Sequence, residues 1–180
     1  MGTSANIGLL ILRVVVGALF VGHGTQKLLG WFGGHGPEGT GRFMGQLGYR
    51  PGRTAAIGAG LTETLGGSLL LLGLVTGLGA AMIIGVMTSA TASVHLKKGL
   101  WNTGGGFELP LVNAGVAAAL ALAGPGGSSL DRLIGWRPYG LVLGAIGILL
   151  GVGVSLTLEG WRTEQLRRTG ELPQDRRRAA

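Results

Sequence analysis

Five stretches of mostly apolar residues divide the chain, at roughly 7–30, 54–75, 77–96, 107–123 and 139–158, with Gly, Pro or basic residues between them. A helix on the surface of a soluble domain carries a narrower apolar stripe, with polar residues on its other face. At 1.5 Å per residue, about 20 residues cross a hydrocarbon core about 30 Å thick. Lipid offers the backbone no hydrogen-bond partners, so such blocks must be helical. The pattern therefore predicts an all-α, polytopic membrane helix bundle. The first block is preceded by no Lys or Arg and runs well past the roughly 7–15 apolar residues of a secretory signal, so it reads as a retained span.

The segments between blocks refine this reading. A loop rich in Gly and aromatics, Trp31-Phe32-Gly33-Gly34-His35-Gly36-Pro37, follows the first block and continues through Arg42 and Phe43 to Tyr49-Arg50-Pro51. Its rings suit the membrane interface. Only Thr76-Gly77 parts the second block from the third, which predicts a tight helical hairpin. Residues 161–180 form a basic tail, expected to be disordered beyond Gly170. Arg42, Arg50, Arg53, Lys97, Lys98 and the six tail arginines fall on one side of a five-span topology, and Arg132 and Arg137 on the other. Eleven against two places the N-terminus outside and the C-terminus in the cytoplasm.

Composition narrows the chemistry. The chain has 180 residues and 46% hydrophobic content, with 38 glycines that follow no Gly-X-Y period. Gly140, Gly144, Gly147 and Gly151 share one face of the fifth block, and Gly77, Ala81 and Gly85 share one on the third. Such stripes let helix backbones approach closely, either within the bundle or between copies in a homo-oligomer. There is no cysteine, which excludes disulfides, thiolate metal sites and CxxC redox chemistry. The formal charge of +7 is gathered at block ends and in the tail, so it reads as membrane topology and not as nucleic-acid binding.

Ionisable groups inside a span cost about 2.5–3.5 kcal/mol each on insertion scales, so their positions are informative. His23, Gln26 and Lys27 share a helix face at i, i+3, i+4 spacing. At 1.5 Å per residue His23 lies about 10 Å and Lys27 about 5 Å below the cytoplasmic end of the first helix, and Glu63 about 14 Å down the second. His95 closes the third block and Glu108 opens the fourth. Together these six residues make a candidate polar cluster in one half of the bundle, with Glu63 as the charge partner of Lys27 or His23. Pairing alone would justify their burial; His and Glu also carry proton relay and headgroup binding. Arg13, near the opposite end, is expected to snorkel outward as an anchor. The glycines at 34, 36 and 39 lack the preceding strand of a phosphate loop, and two histidines without a carboxylate motif do not predict a metal site.

These residues carry a family resemblance. Leu12-Arg13, the run His23-Gly24-Thr25-Gln26-Lys27-Leu28, Gly30-Trp31-Phe32-Gly33-Gly34, Glu63-Thr64-Leu65-Gly66-Gly67, His95, Glu108 and Ser129-Leu130-Asp131 make the chain similar to the DoxX family of small bacterial inner-membrane proteins. The resemblance implies a four-helix membrane core, to which this chain adds a fifth apolar block. It also implies a link to quinone-related redox or detoxification chemistry, since the family name comes from a subunit associated with quinone-reducing thiosulfate oxidation. His23, Gln26, Lys27, Glu63, His95 and Glu108 are then the candidate quinone-contacting residues. Without cysteine, the electron-transfer cofactor must come from a redox partner protein. The alternative is a non-catalytic membrane scaffold or small-solute carrier.

Overall fold

The computed structural model describes residues 2–137 and 139–171 and contains no strand among them. Its α-helices run in the order α1 (Thr3–Leu29), α2 (Gly36–Gln46), α3 (Gly52–Leu72), α4 (Thr76–Ala90), α5 (Glu108–Ala123), α6 (Leu130–Leu133) and α7 (Leu141–Arg168). A π-helical turn, Thr91–His95, and a 3-10 turn, Leu96–Lys98, prolong α4. Four helices are long and apolar enough to cross a membrane: α1, α3, α4 with its extension, and α7. α5 is apolar but has only 16 residues, about 24 Å. Ile7, Ile11, Val15 and Leu19 form an outward stripe on α1, each more than half exposed. An uncovered apolar surface of this kind is stable only against lipid. The chain is a multi-pass membrane protein whose outer face contacts the bilayer.

Glycine sets how closely the helices pack. Gly17 and Gly24 of α1 are seven residues apart, as are Gly60 and Gly67 of α3, and the two pairs face each other. A Cβ on Gly17 would lie 2.7 Å from the Gly67 carbonyl oxygen, and one on Gly24 would lie 2.6 Å from that of Gly60. No side chain fits there, so the two backbones touch, as small-residue motifs in membranes allow. The stripe on α7 is likewise used within the bundle. Gly144 rests on Ala121 and Leu122 of α5, and Gly147 and Gly151 rest on Gly77 and Ala81 of α4. Gly140 takes no part in it, because it precedes the helix at φ 128°. Phe20, Leu70, Ile83 and Leu120 fill the centre.

The structure departs from the sequence reading at several points. The hairpin turns at Gly73-Leu74-Val75 and not at Thr76-Gly77, because Gly73 takes the left-handed conformation (φ 64°) that ends α3. Asp131, on α6, then receives the start of α4: it accepts from the backbone N–H of Val75 (2.8 Å) and Thr76 (3.2 Å) and from the Thr76 hydroxyl (3.0 Å). Arg13 is not a surface anchor. It is fully buried, its guanidinium donates to the Ser128 carbonyl, and it stands against Gly73, where any side chain would collide with it. The basic tail begins as helix, since α7 continues ten residues past Leu158 to Arg168. Residues 172–180, where disorder is expected, lie outside the described residues.

Candidate functional site

The glycine contact between α1 and α3 positions the first polar group. Gly24 packs against Gly60 and Thr64, which puts Glu63 level with the turn before Lys27, and the Lys27 side chain reaches back along α1 to meet it. Lys27 Nζ is 2.5 Å from Glu63 Oε2 and also donates to the His23 carbonyl at 3.3 Å. Glu63 is 3% exposed, whereas Lys27 is half-buried and His23 is exposed on the outer side of α1. An exposed residue two turns inside a spanning helix faces acyl chains near the interface. The ion pair therefore has an exposed imidazole beside it on the same helix.

The loop after α1 folds back to complete the group. Gly30 ends the helix in the left-handed region, and Phe32 and Gly33 also have positive φ. The turn presses Gly34 against the Gln26 backbone, where a Cβ would lie 2.6 Å from the Gln26 Cα. In this position Gln26 Nε2 donates to the Phe32 carbonyl at 3.2 Å, and Gln26 Oε1 lies 3.2 Å from His23 Nδ1. The edge of the buried Phe20 ring packs near the imidazole, with centroids 6.0 Å apart.

Four of the six sequence candidates, His23, Gln26, Lys27 and Glu63, form this connected group. The other two serve a different loop. His95 Nδ1 pairs with the Gly105 carbonyl at 2.7 Å, and Glu108 Oε2 accepts from the Asn102 N–H at 2.9 Å. These bonds tie the 99–107 connection to the ends of α4 and α5.

Sequence reasoning missed a second polar group at the same end of the bundle. Glu159 and Arg162 on α7 are both buried, with Arg162 Nε 2.7 Å from Glu159 Oε2. Arg162 Nη1 donates to the Leu47 carbonyl at 2.9 Å, and the guanidinium stands 5.6 Å from the centre of the Tyr49 ring. The Tyr49 hydroxyl donates to Glu159, and Ser93 of the π-helical turn bonds it as well. Burial first, and then the bond to Glu159, push the Tyr49 phenol up to about 12. The group fastens α7 to the α2–α3 loop, and Ser155, one turn back, continues it by pairing with Ser89 at 2.8 Å. At the surface nearby, Arg53 donates to Glu38 at 2.9 Å and lowers the carboxyl below its usual range.

Residues 8–96 match the model of the family described as DoxX. Over that stretch the chain belongs to the DoxX family. The DoxX segment runs from α1 through the π-helical turn, so it contains His23, Gln26, Lys27, Glu63, Tyr49 and His95. Glu108, Glu159 and Arg162 lie beyond it. The chain is also similar to a Bacillus subtilis (strain 168) protein named "Putative oxidoreductase CatD", with 35% identity over 97 residues. That alignment covers 54% of this chain and 66% of the relative, just under two thirds of its length. No solved structure matches the chain.

Proposed function

We propose that this DoxX protein is a membrane subunit of a quinone-linked redox or detoxification assembly. The observation that carries the reading is the buried Lys27–Glu63 ion pair with His23 exposed beside it at bilayer depth. Pairing accounts for the burial of Lys27 and Glu63, but it gives no role to the imidazole exposed beside them. A ligand that reaches such a group laterally is itself lipid-soluble and carries a small polar head, and a quinone fits both conditions. Intramembrane His, Glu and Lys are residues that bind such heads and move protons. With no cysteine in the chain, the electron-transfer cofactor would reside on a partner. The CatD name supports a redox setting. The surplus of Lys and Arg at the Lys27 end supports a cytoplasmic position for that end and for the C-terminus in a bacterial plasma membrane. His95 and Glu108 would act by holding the neighbouring loop.

Glu63→Gln keeps the shape of the side chain and removes its charge. In native membranes at unchanged protein level, this variant is expected to lose at least about tenfold in quinone-linked electron transfer, the scale of an interaction worth about 1.4 kcal/mol. In detergent, a short-chain quinone is expected to raise the unfolding temperature of the wild type, as a ligand selective for the folded state must. Unchanged transfer in the variant, together with no quinone-dependent stabilisation, would leave the scaffold reading in its place.

A further inference from the structure

The hydrogen bonds around Gln26 determine more than its own position. Its amide has one acceptor and two donors, and the Phe32 carbonyl opposite it can only accept. The Nε2 group must therefore face Phe32, as it does at 3.2 Å. Gln26 Oε1 is then the atom presented to His23 Nδ1 at 3.2 Å. A carbonyl-type oxygen there can only accept, so the proton of a neutral His23 ring belongs on Nδ1. The lone pair is left on Nε2. Lys27 spends two of its three N–H groups on Glu63 and the His23 carbonyl, and the outermost polar group of the site is the imidazole.

From this we infer that Gln26 is the specificity-determining residue of the site: by holding the proton on His23 Nδ1, it makes Nε2 a hydrogen-bond acceptor and selects the hydroxyl-bearing, reduced form of the ligand over its carbonyl form. The inference rests on the quinone reading above and adds the oxidation state that the resting site takes. A neutral imidazole is oriented by the bond its other nitrogen makes, and a site built to accept from a hydroxyl discriminates against an analogue without one because a lone pair that faces acyl chains and not water then loses its partner. The tight turn at Gly30, Phe32 and Gly33 matters to specificity for the same reason, since it puts the Phe32 carbonyl where it fixes the amide.

The full chain in lipid nanodiscs, with 15N-labelled histidine, gives a readout that needs no ligand. At alkaline pH, where the spectrum itself reports a neutral ring, the proton of His23 is expected on Nδ1 in the wild type. Gln26→Met, which has no oxygen at that position, is expected to shift the proton substantially to Nε2. Titrations under anaerobic conditions with decylbenzoquinol and decylbenzoquinone are expected to favour the quinol by about tenfold or more in the wild type and by less than about threefold in Gln26→Met. A wild-type ring protonated on Nε2 overturns the inference, and so does binding of the quinone as tight as that of the quinol. Either result leaves quinone binding itself standing. If neither compound binds while the His23 spectrum is as expected, the quinone reading falls and the selectivity goes with it.

Discussion

Removing Lys27 gives a direct measure of what holds the α1–α3 contact together. In Lys27→Met the chain length is kept, but Glu63, 3% exposed, loses its countercharge. Breaking a buried pair by deleting one partner costs about 3–5 kcal/mol, because the remaining charge is stranded. Glu63 has an escape: it can bind a proton. At pH 7 that costs about 1.4 kcal/mol for each of the nearly three pH units above an ordinary glutamate value of about 4.3, or about 4 kcal/mol in all. This figure is an upper limit on the loss, and the partial exposure of Lys27 reduces it to about 2–3 kcal/mol. The sign with pH follows. The protonated carboxyl is favoured at low pH, so the deficit of the variant is smallest near pH 4–5 and grows toward pH 7. Unfolding by SDS in mixed micelles, followed by circular dichroism, measures the difference. The double variant Lys27→Met/Glu63→Gln, with no charge to strand, is expected to recover more than half of the loss. A double variant as unstable as the single one, or a deficit that does not change with pH, would refute the buried pair as described.

Two further outcomes test the packing and the second polar group. Gly17→Val should destabilise the bundle by about 1–3 kcal/mol or prevent its assembly, because a Cβ there meets the Gly67 carbonyl and the Leu71 backbone at 2.7 Å, whereas Gly58→Ala, with nothing within 4 Å, should unfold like the wild type in the same SDS titration. Alkaline difference absorbance, assigned with Tyr49→Phe, should show the Tyr49 phenolate only near pH 12; a phenol that ionises near 10 is not buried against Glu159.

How far the sequence alone reaches differs from one feature to the next. Apolar blocks are legible because lipid demands about 20 uninterrupted residues, and the family is legible because its short runs cluster in α1 and α3. The nearness of Lys27 and Glu63 follows from the high cost of solitary charge at that depth. The same reasoning fails for Glu108 and His95, since both lie at helix ends, where loop carbonyls and N–H groups compete for them. It fails for Arg13 because a snorkelling arginine and one received by a loop over 100 residues away have the same local sequence. Glu159 and Arg162 fall just past the last apolar block and look like the start of a solvated tail. Their i, i+3 spacing, in line with Ser155, was the available sign that the helix continues, but the partner loop at Tyr49 is 110 residues distant. The seven-residue glycine spacing in α1 and α3 was also readable, and only the antiparallel register shows that the two sets coincide.

The seating of Arg13 beneath the 124–131 loop makes the molecule unlike a pipe. Between Glu63 and Arg13 lie Phe20, Leu70, Ile83 and Leu120, each 1% exposed or less, and beyond them the guanidinium is held with the Ser128 carbonyl and Asp131 beside it. Among the described residues, these four side chains form an apolar layer between the two polar groups. The bundle is thus polar at two levels and dry between them, so a group bound beside Glu63 and one bound beside Arg13 would not meet.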